Sequence, residues 1–379
     1  MDEFDLPDDL EDVEVIYSDG EDDGEENIGD MLDVVNLNET DEEIETEIID
    51  LALLTFNKHN KSIFSSDLNE TSELAVTGGE DDIAYLWNTN NGEVLLECTG
   101  HKDSVTEVGF NRSSQYIATA DMSGMVQVWN VNEKKLVWCY EGDDMEWLLW
   151  HPIANVLFCG CHSGDIYIWQ IPQGNCKVLP SPNNSSSTCG KVLPNGKQVL
   201  AGYEDGVLRL WNIKEINVEW SNSQNSTITN LDINTDGSLA IVAPSAMVIK
   251  LTDGKPIANL LPNGESEIEC GLFNSELGIV ATGSLSGKLC VWELGRHALR
   301  HEARIECAVT LLKWGKNGKI FIGATDGAVY VCDVKSGMLL ETLTGHRTDI
   351  LSISVFSDGN KILTTSDDGS AKIFAIKSS

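Results

Sequence analysis

Long apolar runs are missing from this chain of 379 residues. No stretch approaches the roughly 18 apolar residues of a transmembrane helix, and residues 1–5 carry neither the basic region nor the apolar stretch of a signal peptide. We therefore expect no membrane insertion and a cytoplasmic location, with the nucleus as a second compartment. The 10 cysteines are scattered, mostly within apolar strands, so in a reducing compartment they are expected to be buried thiols rather than disulfides.

Motifs of catalysis are also missing. The chain has no Gly-x-x-x-x-Gly-Lys-Ser/Thr loop and no Gly-x-Ser-x-Gly turn. Cys159, Cys161 and His162 lie close in sequence, but no second Cys or His pair is nearby to complete a four-ligand zinc site, which favours core packing. We predict no enzymatic activity, no metal site and no cofactor.

Basic residues are scarce, and none lies within residues 1–50. The chain has 61 Asp and Glu against 25 Lys and Arg, a formal net charge of −36, and 23 of the acids lie within residues 1–50. Such a chain repels nucleic acid and anionic membranes and attracts basic partners. We therefore expect a protein partner with a basic segment and no direct binding of nucleic acid.

The charge distribution divides the chain into two regions. Residues 1–46 are predicted to be a disordered acidic tail, because acid runs such as residues 21–26 repel one another and few apolar groups offset the ordering entropy. Two apolar clusters, residues 13–17 and 31–37, leave open docking on a partner or on the body, although a solvating tail is favoured. Residues 47–379 are the predicted folded body.

The body repeats with a period of about 40 residues, the period of a four-stranded propeller blade. Apolar strands end at eight regularly spaced marks, at residues 87, 129, 169, 211, 250, 292, 332 and 374. In the second repeat we predict strands at Val105–Phe110, Tyr116–Ala120, Met125–Trp129 and Lys135–Tyr140. The sequence thus predicts an all-β, eight-bladed propeller. Seven blades remain the alternative, because the fifth repeat lacks its Trp and its turn Asp.

Ring closure follows from the two ends of the body. The last repeat stops after its third strand, so one outer strand is missing. The apolar segment 48–56 precedes the first repeat and can supply that strand, which would pair the exposed edges. We therefore expect a closed ring and a monomer.

Gly-His pairs strengthen the interpretation of the repeats. His101 and His346 each follow a Gly and lie 28 residues before their closing aromatic, and His59 has the same spacing. With the Trp marks, these residues resemble the WD-repeat β-propellers. The resemblance implies a bond from each His to a turn Asp six residues before the aromatic. Ser123, Ser163 and Ser286 hold that position in three repeats, which are expected to lack the full network. The implied blade-locking residues are His59, Asp81, Trp87, His101, Trp129, Trp169, Asp205, Trp211, Trp292, Asp326, His346 and Asp368.

An acidic tail followed by eight repeats is similar to the family of angio-associated migratory cell protein and its fungal relatives. The fungal members are dedicated chaperones of a large-subunit ribosomal protein, whose basic N-terminal segment they hold on an acidic face. The resemblance implies chaperone-like capture of such a segment, in support of ribosome biogenesis. Two alternatives stay open: a signalling scaffold in cell migration and angiogenesis, and a histone-type acidic chaperone.

Alignment of the repeats brings acids to one face of the ring. The loops between blades and the turns between second and third strands share that face, where carboxylates can grip Lys or Arg. Trp147 is the candidate anchor, stacking on Arg; packing against the neighbouring blade is its alternative. The predicted peptide-binding residues are Glu80, Asp103, Asp143, Asp144, Glu146, Trp147, Glu204, Glu267, Glu269, Glu306, Asp349 and Asp367.

Overall fold

The protein is described by a computed structural model, and the structure describes residues 48–377. These residues form 32 β-strands in eight four-stranded antiparallel sheets. Within this range no helix is long and apolar enough to cross a membrane. The eight-bladed, all-β prediction is confirmed, while the predicted acidic tail lies outside the described residues.

The strands are numbered in chain order, and blade 1 begins at the second strand. Blade 1 consists of β2 (Ile63–Leu68), β3 (Leu74–Gly79), β4 (Ala84–Asn88) and β5 (Val94–Cys98), and blade 2 of β6 (Val105–Phe110), β7 (Tyr116–Asp121), β8 (Met125–Asn130) and β9 (Lys135–Glu141). Blade 3 consists of β10 (Met145–Trp150), β11 (Val156–Cys161), β12 (Ile166–Gln170) and β13 (Asn175–Leu179), and blade 4 of β14 (Ser187–Val192), β15 (Gln198–Tyr203), β16 (Val207–Asn212) and β17 (Asn217–Ser223).

The other four blades follow the same pattern until the last strand. Blade 5 consists of β18 (Asn230–Ile233), β19 (Leu239–Ala243), β20 (Met247–Lys250) and β21 (Pro256–Asn259), and blade 6 of β22 (Cys270–Asn274), β23 (Ile279–Gly283), β24 (Lys288–Glu293) and β25 (Ala298–Arg304). Blade 7 consists of β26 (Val309–Trp314), β27 (Lys319–Ala324), β28 (Val329–Asp333) and β29 (Met338–Leu343), and blade 8 of β30 (Ile350–Val355), β31 (Lys361–Ser366), β32 (Ala371–Ala375) and β1 (Leu54–Phe56).

Burial explains the order of the strands within a blade. The first strand of each blade contacts the first strands of its two neighbours, so these strands form the inner ring. Second strands such as β7 and β27 are buried along their whole length because a blade covers each side. Fourth strands such as β17 alternate between exposed and half-buried residues, as expected at the outer edge.

All eight closing marks lie in third strands, which explains the period. The fifth repeat builds a complete sheet without a Trp, because Val248 and Ile249 are buried and Lys250 is exposed at the strand end. Apolar burial and strand pairing therefore suffice for a blade. The closing aromatic is a stabilising addition.

The ring closes where β1 pairs with β32, with Leu54 opposite Ile373. The strand is shorter than the predicted segment 48–56, because Leu51 N–H donates to the carbonyl of Thr344 in the preceding loop rather than to β32. Asp50 accepts a hydrogen bond from the nearly buried Lys372 ammonium. Burial alone would raise the pKa of Asp50, but this bond holds it below its usual value.

Candidate functional site

The antiparallel strands divide the loops between two faces. The loops after second and fourth strands share one end, here called the upper face, and those after first and third strands share the lower face. Backbone bonds join the two kinds of upper loop within a blade: Glu80 N–H donates to Ser62 O at 2.9 Å, and Asp367 N–H to Asp349 O at 3.1 Å. The loops predicted to converge on one face therefore do so.

The two faces differ sharply in charge. The loops of the upper face contain 17 acids against four bases, whereas those of the lower face contain nine acids against eight bases. The acid excess of the body is therefore concentrated on the face that holds the predicted residues. Such a surface attracts a basic chain by long-range electrostatics.

The predicted acids all lie at this end, ten in loops and Glu146 at the start of β10. Some are engaged within the protein. Asp143 accepts the Ser163 amide at 2.8 Å, and Glu146 accepts the Ser186 hydroxyl at 2.9 Å. The carboxylates of six other predicted acids accept no hydrogen bond and form no ion pair within residues 48–377, so they are available to a ligand. These acids are Asp144, Glu204, Glu267, Glu269, Glu306 and Asp349.

Two of these free carboxylates border a pocket of about 350 Å³ between blades 5 and 6. The loop joining these blades, residues 260–269, is the longest interblade loop of the described chain. Ile268 is buried and its N–H donates to Pro244 O at 3.0 Å, so the loop is fixed to blade 5 close to the start of β22. Glu267 and Glu269 flank this buried residue, and both line the pocket.

The pocket favours a long basic side chain. Burial, followed by the nearby charge of Glu267, raises the pKa of Glu269, as expected for two carboxylates that share a small space without a counter-ion. Leu285, 65% exposed, adds an apolar wall. A Lys or Arg could place its stem on this leucine and its charge between the carboxylates.

Glu265, which the sequence analysis missed, holds the same loop in place. It accepts the Ser286 hydroxyl at 2.7 Å and pairs with Lys288 at 2.9 Å. These bonds lower the pKa of Glu265. In blades 1 and 8 the turn supplies the carboxylate and the interblade loop supplies the histidine. In blade 6 the turn residue is Ser286, which donates, and the interblade loop supplies the carboxylate of Glu265. An acid in the interblade loop of a repeat that lacks its turn Asp was therefore the signal available in the sequence.

Trp147 is not an exposed anchor, so that prediction is wrong. Its side chain is buried between blades 3 and 4, and its indole Nε1 donates to Ser187 Oγ at 3.0 Å. Gly160 and Gly190 provide the space, since a side chain at either position would clash with the indole ring. The alternative of interblade packing is correct, and Leu285 is the apolar group on the pocket.

The expected blade-locking networks occur in blades 1 and 8. His59 Nδ1 lies 2.8 Å from Asp81 and its Nε2 lies 3.0 Å from Thr77 Oγ1. In blade 8, His346 Nδ1 lies 3.0 Å from Asp368. These buried bonds fix the upper loops to the strands beneath them.

Blade 2 was expected to lack this network because Ser123 holds the turn position, and that expectation is wrong. Asp121, at the end of β7, takes the role: His101 Nδ1 lies 3.0 Å from its Oδ2, and Ser123 Oγ donates to its Oδ1 at 2.7 Å. Lys102 and Met125 add backbone N–H bonds. Burial opposes ionisation, yet these bonds lower the pKa of Asp121 to about 2.

The remaining turn acids have other partners. Asp205 accepts from Asn183 Nδ2 at 3.2 Å, and Asp326 accepts from the Tyr330 hydroxyl at 2.7 Å. The predicted closing tryptophans are all buried in third strands, namely Trp87, Trp129, Trp169, Trp211 and Trp292. Within residues 48–377, no cluster of three or more His, Cys, Asp or Glu suitable for a metal ion occurs.

Eight four-stranded blades, with His–Asp bonds between loop and turn, define a WD-repeat β-propeller. A family model described as "WD domain, G-beta repeat" matches residues 52–88, 92–130, 176–212 and 337–374. The chain is 36% identical over 347 residues to angio-associated migratory cell protein of Canis lupus familiaris, covering 86% of this chain and 80% of the relative. The human protein is 35% identical over the same coverage. The chain belongs to this family.

More distant relatives share the fold. The ribosome assembly protein SQT1 of Saccharomyces cerevisiae is 23% identical over 393 residues, covering 90% of each chain. Its crystal structure matches 87% of this chain and 100% of its own, with a TM-score of 0.79 and 21% identity. Chaetomium thermophilum Sqt1 bound to the N-terminus of ribosomal protein L10 matches 86% and 100%, with a TM-score of 0.78 and 19% identity.

Proposed function

We propose that this protein is a non-enzymatic, chaperone-like binding platform, which acts as a cytoplasmic monomer. It captures a basic segment of a large-subunit ribosomal protein on its upper face, in support of ribosome assembly. The observation that carries this proposal is the pocket bordered by the unpaired Glu267 and Glu269. The similarity to Sqt1, seen with the N-terminus of L10, supports this class of client.

The scattered acids of the upper face and its pocket contribute to binding in different ways. Exposed ion pairs contribute only about 0–1 kcal/mol each, so scattered acids alone give weak, salt-sensitive attraction. A pocket that desolvates one basic side chain adds a stronger charge-assisted bond and sets the register of the bound segment. The scattered acids speed capture, and the pocket holds the client.

The test is capture of newly made proteins by the full-length chain at about 0.1 M and about 1 M salt, where the screening length falls from about 10 to about 3 Å. Wild type is compared with Glu267→Lys/Glu269→Lys. The matched control is Glu215→Lys/Glu276→Lys, which changes two exposed acids on the lower face.

We expect one dominant basic ribosomal protein, lost at high salt and in the pocket variant but kept by the control. A salt-resistant set of signalling proteins, unchanged in the pocket variant, would instead support a scaffold and contradict the proposal. Histones as the dominant captured species would support the acidic histone-chaperone alternative.

A further inference from the structure

An exposed apolar side chain, Met122, occupies the turn of blade 2 on the upper face. It is 52% exposed and lies two residues before Gly124, whose positive φ closes the turn. Leu285, 65% exposed, holds the same position in blade 6, two residues before Gly287. In blade 5 the position is held by Pro244, which lines the pocket beside Leu285. The equivalent residues of the other five blades are polar or charged, namely Glu80, His162, Glu204, Thr325 and Asp367.

Blades 2 and 6 lie opposite each other in the ring. The first strands contact one another in chain order, and β30 contacts β2 to complete the circle. Three blades therefore separate blade 2 from blade 6 in either direction. A segment that contacts both Leu285 and Met122 has to cross the centre of the upper face.

The turn of blade 2 lies between two acidic loops. Met122 N–H donates to the loop 99–104 at 3.1 Å, and the loop 142–144 donates to the turn at 3.2 Å. The first loop carries Asp103, and the second carries Asp144. Met122 is therefore an apolar side chain with acids on both sides.

The charges of these acids are not cancelled within residues 48–377. The Asp103 carboxylate accepts only the N–H of the next residue, at 2.7 Å, and forms no ion pair. The Asp144 carboxylate accepts no hydrogen bond and forms no ion pair. Lys102 of the first loop pairs with Glu141 instead. The surroundings of Met122 thus match those of Leu285, where an exposed apolar side chain also adjoins carboxylates without a counter-ion.

We propose that Met122 forms a second contact for the captured basic segment, which crosses the upper face between this residue and the pocket at Leu285. This inference rests on the proposed function. At each end a Lys or Arg side chain lays its stem on the apolar side chain, and its charge meets the carboxylates of the adjoining loops. A tightly bound segment therefore needs two basic residues far enough apart to reach both contacts, and the two contacts reinforce each other because one segment carries both.

The assay is titration calorimetry of full-length variants with a synthetic peptide of the N-terminus of ribosomal protein L10. Met122→Ser and Leu285→Ser change no charge, so the long-range attraction of the face is kept. We expect each variant to bind about fivefold more weakly, close to the contribution of one buried methylene group. The double variant should bind about 25-fold more weakly, because distant contacts are additive. Ile153→Ser, which changes an exposed apolar residue of the lower face, is the matched control and should leave binding unchanged.

Two results would overturn the inference: Met122→Ser that binds within twofold of wild type, or a double variant that binds no more weakly than Leu285→Ser alone. If Glu267→Gln/Glu269→Gln still weakens binding in that case, the proposed function stands and the second contact is wrong. If that variant also binds like wild type, or wild type does not bind the peptide, the proposed function fails as well. The two failures are therefore distinguishable.

Discussion

Neutralising the upper pocket is the most direct perturbation of the proposed site. In the Glu267→Gln/Glu269→Gln variant the shape is kept and two negative charges are removed. Neither side chain accepts a hydrogen bond or forms an ion pair in the described chain, so the free energy of unfolding should change little. Any loss of affinity can then be assigned to the missing charges.

The expected loss follows from the exposure of the two groups. Glu267 is exposed, and an exposed pair contributes about 0–1 kcal/mol. Glu269 is half-buried, and a charge-assisted hydrogen bond there contributes about 1.5–3 kcal/mol. A combined loss of about 2 kcal/mol weakens the dissociation constant about 30-fold.

The assay is titration calorimetry with a synthetic N-terminal peptide of ribosomal protein L10. The lower-face variant Glu215→Gln/Glu276→Gln is the control, because it removes the same charge from the other face. If the pocket variant binds within about twofold of wild type, or the control loses as much, the reasoning about a specific site is refuted.

The same titration should depend on pH. The pKa of Glu269 is raised in the free protein by burial and by Glu267, and a bound cation favours the ionised form and lowers it again. Binding should therefore release protons, and the affinity should be fully present above the raised pKa and fall as the pH drops through it. In Glu269→Gln this part of the pH dependence should vanish.

Three further predictions concern the scaffold. Asp121→Ala should lower the free energy of unfolding by about 3–5 kcal/mol because several buried donors lose their acceptor, against about 1 kcal/mol for Ser123→Ala; equal losses in urea would contradict the assignment. Because the pKa of Asp121 is about 2 in the folded state, its contribution should persist above the usual pKa and disappear as the pH falls towards 2. Trp147→Ala should destabilise the fold by about 3–5 kcal/mol, with the peptide affinity per folded molecule unchanged in calorimetry. A loss of affinity without a loss of stability would instead indicate that Trp147 contacts the peptide. Asp50→Asn should remove about 1–2 kcal/mol at the closure because the Lys372 ammonium loses its charged acceptor and keeps only Thr55 Oγ1, and faster hydrogen exchange at Leu54–Phe56 would show it.

The fold was predictable from sequence because a propeller repeats one structural unit, the four-stranded antiparallel blade. Each blade buries its second and third strands between neighbours, so the apolar pattern recurs with every blade. Even Lys250, at the degenerate fifth mark, lies at the end of a third strand whose Val248 and Ile249 are buried. The face of each loop followed from strand order alone.

The burial and the hydrogen-bond partners of individual side chains could not be predicted from the repeat pattern. The burial of Trp147 depends on Gly160 and Gly190, which are distant in sequence and leave room for the indole between blades 3 and 4. Asp121 replaces Ser123 because a carboxylate can reach the histidine from either side of a tight turn. The role of Glu265 depends on the path of the long loop 260–269, which no local pattern specifies.

The contrast between the faces has a consequence for how partners bind. A typical strand of six residues spans about 20 Å, whereas screening at physiological salt acts over about 8 Å. The acids of the upper face therefore repel an approaching anion at that face and are largely screened at the lower one. A basic segment is therefore drawn to the upper face and gains little from the nearly balanced charge of the lower face.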